Sequence, residues 1–193
     1  MQDWTIVIPV KGEAAASKSR FGPGDHRDLA LAMALDTVES ALAVAPVVVV
    51  TIGGAEFQSL GARVIQERGH GLIDAIEQAL DAVGPSSNTA VLLGDHPALQ
   101  PEELRAALTA AAGHPLAMVP DRDGTGTALI TALAGTPHRV SFGQGSRAAH
   151  AGHGYHELEG HWPGLSRDID VPDHLEGIPL GQRTREFLGR PQF

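Results

Sequence analysis

Three runs of consecutive apolar residues mark the first half of the chain: Thr5-Ile6-Val7-Ile8-Pro9-Val10, Val47-Val48-Val49-Val50-Thr51 and Ala90-Val91-Leu92-Leu93. None alternates with polar residues. Unbroken apolar runs of this length predict strands covered on both faces. The segments between them change period. Asp25 reads as a helix cap, and Leu29, Ala32 and Met33 carry a helix on towards Val44, where Pro46 stops it. Gly53-Gly54 breaks the next strand, a short helix is expected over 56–60, and Arg63-Val64-Ile65 reads as a small strand. Leu72, Ile76 and Leu80 stand four apart and predict a helix over 72–83. Pro101-Glu102-Glu103 opens another helix, with Pro in the first turn and acids where the helix dipole favours them. Beyond it the pattern predicts strands over 116–119 and 127–133, a loop over 143–151 leading into a short helix, an extra strand over 155–158 and a helical end.

Strands alternating with helices predict a single α/β domain over 1–193, Rossmann-like, with a mixed, mostly parallel sheet and helices on both faces. In such folds ligands bind beyond the carboxyl ends of the strands. The loops after Val10 and Leu93 and those of the second half therefore converge on one expected crevice.

Composition narrows the function. The chain has 193 residues, 14 Lys+Arg against 23 Asp+Glu, a net charge of −9 and no Cys. Disulfide scaffolds, thiol nucleophiles and Cys-ligated zinc are excluded. The acidic balance argues against nucleic acid as a partner. No apolar run approaches the ~20 residues of a membrane span, and no basic leader precedes the first strand. A soluble cytoplasmic protein is expected. Only Lys11 and Lys18 are lysines, and both fall in the loop after the first strand, next to Arg20. An ammonium is a compact charge with rotatable donors, which suits a place among phosphate oxygens. The plain alternative is a solvated basic loop.

Four other segments carry candidate chemistry. Gly94-Asp95-His96-Pro97 ends a strand with a carboxylate, placed either to hold Mg²⁺ or to cap a turn. Asp168-Ile169-Asp170 puts two carboxylates on one side of an extended segment. Asp123-Gly124-Thr125-Gly126-Thr127 reads as a backbone anion nest or, more simply, a Gly-rich turn. Phe142-Gly143-Gln144-Gly145-Ser146-Arg147 offers a hydroxyl and a guanidinium to an anion. His150, His153 and His156 recur every three residues, but Gly152 and Gly154 interrupt any rigid helical face, so they read as solvent-exposed histidines rather than metal ligands.

Taken in order, these pieces resemble the 2-phospho-L-lactate / phosphoenolpyruvate guanylyltransferases of coenzyme F420 biosynthesis. The resemblance runs through Ile8-Pro9-Val10-Lys11, Lys18-Ser19-Arg20, Gly94-Asp95-His96-Pro97-Ala98-Leu99 and residues 121–127. It continues through Phe142-Gly143, Ser146, Trp162-Pro163-Gly164-Leu165 and Asp168-Ile169-Asp170-Val171-Pro172, covering nearly the whole chain. It implies a glycosyltransferase-A-like nucleotidyltransferase that moves GMP from GTP onto the phosphate of phosphoenolpyruvate or 2-phospho-L-lactate and releases pyrophosphate. Lys11, Lys18 and Arg20 then fall where GTP phosphates are held. Asp95 and Asp168 fall at Mg²⁺ positions, with Asp170 beside them. Thr127, Gly143 and Ser146 fall where the three-carbon acid binds. Ile73 and Leu93 stand where the family often carries polar residues that could touch the nucleotide. The family leaves a homodimer open. Two other readings compete: a related nucleotidyltransferase acting on 3-phosphoglycerate, molybdopterin or a sugar phosphate, and a non-catalytic nucleotide-binding regulator.

Overall fold

The apolar runs form the centre of one seven-stranded sheet in the order β3-β2-β1-β4-β6-β5-β7. The computed structural model describes residues 3–10, 27–167 and 177–189. The first half alternates as β1 (Trp4–Pro9), α1 (Arg27–Leu42), β2 (Val47–Thr51), α2 (Ala55–Leu60), β3 (Arg63–Gln66), α3 (Leu72–Val83), β4 (Asn88–Leu92) and α4 (Pro101–Ala111). The second half comprises β5 (Leu116–Pro120), β6 (Thr127–Ala132), α5 (Ser146–Gly152), β7 (His156–Glu157), α6 (Pro163–Ser166) and α7 (Gln182–Leu188).

Because side chains alternate across a strand, each continuous run feeds both faces of the sheet. Ile6, Ile8, Val47, Val49 and Leu92 pack with Val38 of α1, Phe57 of α2 and Leu104 and Leu108 of α4. Val7, Val48, Val50 and Val91 pack on the other side with Ala75, Ile76 and Ala79 of α3. Helices on both faces leave no polar side for these strands, which is why their sequences do not alternate.

β1 pairs in parallel with β2 on one side and β4 on the other. The chain therefore reverses its direction of winding between β1 and β4, and a crevice opens at that switch point. The loops after both strands leave from the same edge. Gly94 lies against β1: an added Cβ would stand 3.4 Å from the Pro9 carbonyl oxygen and 3.1 Å from Val10 Cγ2.

The second half departs from pure parallel pairing. β6 runs antiparallel to both β4 and β5, and β7 pairs parallel to β5. The mixed sheet matches the expectation. Two local readings are corrected. Ser146 is the first residue of helix α5, not a loop position, because Gly145 (φ 74°) turns the chain directly into the helix. The Pro163–Ser166 turn forms a short helix, α6, that the apolar pattern did not predict.

Candidate active site

Asp95 follows β4 in a loop held from below by α1. The Thr37 hydroxyl accepts the His96 backbone N–H at 3.1 Å and donates to the Met33 carbonyl at 2.8 Å. Thr37 is fully buried. His96 is also buried, and its Nε2 stands 3.8 Å from Asp95 Oδ1. The Asp95 side chain keeps 27% of its surface exposed, so the carboxylate is anchored at its backbone yet reachable.

The C-terminal segment clasps this loop. Gly181 N–H donates to the Pro97 carbonyl at 2.6 Å. The buried Asp36 carboxylate, next to Thr37 on α1, accepts the Arg183 and Thr184 N–H groups at 3.1 and 2.8 Å. These are otherwise unsatisfied donors at the start of α7. Arg183 also reaches Glu39 at 2.6 Å, and the paired charge raises its already high pKa.

The start of β6 forms the other side of the crevice. Leu92 of β4 faces Leu129 of β6. The ladder ends there, two residues before Gly94 on one strand and two after Thr127 on the other, so both lie at the same end of the paired strands. Thr127 is nearly buried and bonds His150 Nδ1 at 2.9 Å and Ser146 Oγ at 3.3 Å. The expected acceptor residues Thr127 and Ser146 are thus in contact. Gly143, exposed with φ 131°, accepts the Ser146 N–H at 3.1 Å and starts the turn that presents it.

Of the two readings of 123–127, the structure bears out the simpler one, a Gly-rich turn. Asp121 Oδ1 and Oδ2 take the Thr125 and Gly126 N–H groups at 3.1 and 2.9 Å. Amides bound to an internal carboxylate are not offered to a ligand, so this segment is a turn. Gly126 is required there, since an added Cβ would collide with Asp121. The Arg147 guanidinium is likewise committed, with two bonds to Glu157 at 2.7 and 2.9 Å and one to the Gly124 carbonyl at 2.9 Å.

The histidine reading is corrected at one position. His150 is fully buried and fixed at both nitrogens, its Nε2 accepting the Ser141 N–H at 3.0 Å. Burial, with the nearby His153 adding to it, lowers its pKa to about 4. His153 and His156 are exposed, as expected, and His156 stacks on His114 with ring centroids 3.8 Å apart. Among the described residues no three His, Asp or Glu side chains cluster to hold a metal.

The start of α6 is held by Glu103. Its carboxylate accepts the Gly164 and Leu165 N–H groups at 3.2 and 3.0 Å. Gly164 lies tight against the Ala98 carbonyl, and Arg122 N–H donates to the Ser166 carbonyl at 2.7 Å. The chain leading to Asp168 is therefore pinned between the loop after Asp95 and the end of β5. Lys11, Lys18, Arg20, Asp168 and Asp170 themselves lie outside the described residues. A groove of about 880 Å³, lined by Trp4, Pro46, Asn88 and Arg105, opens at the opposite ends of β1 and β4. It is remote from Asp95, and its lining is mainly apolar.

Sequence reasoning missed Thr37, Asp36, Asp121 and Glu103 as organisers of the site. Each is a polar residue in or beside a regular element, without a local motif. Only His150 carried a signal, through its place in the histidine series.

Residues 26–165 match the MobA-like NTP transferase domain. The chain is 44% identical to a phosphoenolpyruvate guanylyltransferase of Geodermatophilus obscurus over 205 aligned positions, covering 96% of this chain and 94% of that protein. Further curated relatives with the same name share 40–42% identity. Among solved structures, CMP:2-keto-3-deoxy-manno-octonic acid synthetase complexed with CTP superposes with a TM-score of 0.57 at 17% identity, over 91% of this chain and 96% of that one. Rv0371c of Mycobacterium tuberculosis, in complex with manganese, gives 0.54 at 18% identity, over 90% and 95%. These two likenesses show the nucleotidyltransferase-type fold.

Proposed function

The chain belongs to the phosphoenolpyruvate guanylyltransferases within the MobA-like NTP transferase family, and from that premise we propose that its donor is GTP, its metal Mg²⁺ and its site the crevice between Asp95 and Thr127. It is a nucleotidyltransferase. The reading has one domain spanning 1–193 that transfers GMP onto the phosphate of phosphoenolpyruvate. A phosphate monoester with a second pKa near ~6 is already largely ionised at neutral pH. Its oxygen can attack the α-phosphorus of GTP without a general base, and the pyrophosphate leaves from the opposite side.

The chain's own residues serve positioning and charge compensation. Lys11, Lys18 and Arg20, from the loop after β1, stabilise the negative charge on the leaving pyrophosphate. The hydrogen-bonded pair Thr127–Ser146 orients the acceptor through its remaining O–H, and the exposed backbone at Gly143 frames it. The donor set fits a hard cation: Asp95 offers a partly exposed carboxylate just beyond β4, and Asp168 and Asp170 follow α6 by two and four residues in the sequence. Asp95, Asp168 and Asp170 would hold Mg²⁺, which when bound neutralises charge between the nucleotide phosphates. The manganese in Rv0371c supports a divalent ion at this fold.

The observation that supports the assignment is the β4–β6 register, whose last pair, Leu92 with Leu129, stands two residues from Gly94 on one strand and two from Thr127 on the other. No helix among the described residues is long and apolar enough to cross a membrane, and we place the enzyme in the cytoplasm. The test is pyrophosphate release with GTP and Mg²⁺, run in parallel with phosphoenolpyruvate, 2-phospho-L-lactate and 3-phosphoglycerate. Mass spectrometry would identify each guanylylated product. Release that is fastest with phosphoenolpyruvate, and slower with ATP or CTP in place of GTP, is the expected result. Acceptor-independent release, or preference for another nucleotide, would overturn it.

A further inference from the structure

The structure points to a residue that acts through the acceptor site without touching the acceptor. The Ser141 backbone N–H donates to His150 Nε2 at 3.0 Å. A backbone N–H has no acceptor form, so Nε2 must be bare. Burial holds the ring neutral, and a neutral ring then carries its proton on Nδ1. That proton is donated to Thr127 Oγ1 at 2.9 Å.

The tautomer decides what Thr127 and Ser146 can offer. Their oxygens lie 3.3 Å apart, and beyond this bond and the one to His150 neither hydroxyl has a partner among the described residues. Two hydroxyl hydrogens are present and one is used between them. Because His150 donates, the other hydroxyl hydrogen stays uncommitted, in whichever direction the Thr127–Ser146 bond runs. With the opposite tautomer, Nδ1 would accept from Thr127 while Ser146 donated to Thr127, and both hydrogens could be consumed. A ligand that is all acceptor, such as a phosphate or carboxylate, needs the first arrangement.

We propose that His150 is a positioning residue: the chain Ser141 N–H to His150 to Thr127 polarises the Thr127–Ser146 pair so that it presents one O–H to the anionic acceptor. This rests on the assignment of Thr127 and Ser146 to acceptor binding and adds the group that orients them. The His150 ring also packs edge-on against Phe142 and Tyr155, with centroids 5.3 and 5.1 Å away. A packing role and a polarising role therefore need separating.

Two substitutions separate them. His150→Phe keeps the aromatic packing and removes the donor. His150→Asn keeps a donor near the Nδ1 position and removes the ring. If His150 polarises the pair, the Phe variant raises the KM for phosphoenolpyruvate by about tenfold or more with the KM for GTP unchanged. The Asn variant then retains an acceptor KM closer to wild type, although it is less stable. In a Thr127→Val background the Phe change adds no further loss. The reverse ranking, or an unchanged acceptor KM in the Phe variant, overturns the proposal. Nitrogen-15 NMR of the imidazole supplies a readout without turnover: a protonated Nδ1 and a bare Nε2 are expected, and the opposite tautomer overturns the inference. Should the wild type turn over none of the phospho-acids, the functional reading fails while the NMR result still decides the tautomer.

Discussion

Thr37→Val removes one oxygen from a fully buried position and leaves the shape of the side chain almost unchanged. The Met33 carbonyl loses little, because it remains within the helical hydrogen-bond ladder of α1. The His96 N–H loses its acceptor, which stood at 3.1 Å, and water cannot replace it in the packed space under the loop. A buried donor left without a partner costs about 1–3 kcal/mol. For a chain of this size each kcal/mol lowers Tm by about 2–4 °C, so a fall of about 2–12 °C is expected. The affected amide belongs to the residue directly after Asp95. A displacement of ~1 Å at a reacting centre costs about 10²-fold in rate, and kcat should fall about 10- to 100-fold. Thermal unfolding followed by circular dichroism reads the first effect, and pyrophosphate release at saturating substrates reads the second. Thr37→Ser keeps the hydroxyl and should restore most of both. A Val variant matching wild type in Tm and kcat, or a Ser variant as impaired as Val, would refute the claim that this hydroxyl sets the loop.

Asp95→Asn should abolish pyrophosphate release while leaving Tm close to wild type, because the carboxylate is accessible and is held through its backbone; wild-type-like turnover with Mg²⁺ would remove Asp95 from the metal site. Asp36→Ala strips the buried acceptor from the first N–H groups of α7 and should cost about 1–3 kcal/mol. Hydrogen exchange should then accelerate over 182–188 but not in the central strands, and unchanged protection there would show that Asp36 does not hold the clasp. Burial lowers the pKa values of both His138 and His150 to about 4, below the ordinary value of 6.5. The unfolded chain therefore binds more protons than the folded one between those pH values, so this contribution to stability is complete above about pH 6.5. It is lost as the pH falls towards 4, by on the order of 3 kcal/mol per ring. Urea midpoints between pH 7 and pH 4 measure it, and His150→Phe should flatten the slope; an unchanged slope would mean that His150 is not buried neutral.

The central strands were legible because their signal is local. Val47–Val50 is apolar at every position, the pattern of a strand covered on both faces, and α3 was legible from Leu72, Ile76 and Leu80. Candidates at strand ends were legible for a related reason. In a parallel α/β sheet the carboxyl ends face one way, so Asp95 was marked as soon as β4 was placed. The loop carrying Lys11, Lys18 and Arg20 was marked in the same way, although it and Asp168 lie outside the described residues. The turn over 123–127 was the simpler reading, but its amides left an anion nest open as an alternative. Whether they are free depends on Asp121, whose carboxylate has to fold back over the turn to reach them.

What the sequence determined by itself was the order of the strands and of the helices α1–α4, the edge of the sheet where chemistry collects and the residue types available there. These follow from period, chain direction and charge, each readable within a few residues. Only the tertiary structure decided which polar groups are spent and which remain on offer. Asp36 meets the start of α7 across 147 residues of chain, and Thr37 meets His96 across 59. Arg147 is spent on Glu157, whereas Thr127 and Ser146 keep one hydroxyl hydrogen between them. A hydrogen bond is exclusive, so the capacity of a side chain to hold a ligand depends on partners that folding brings to it from distant parts of the chain.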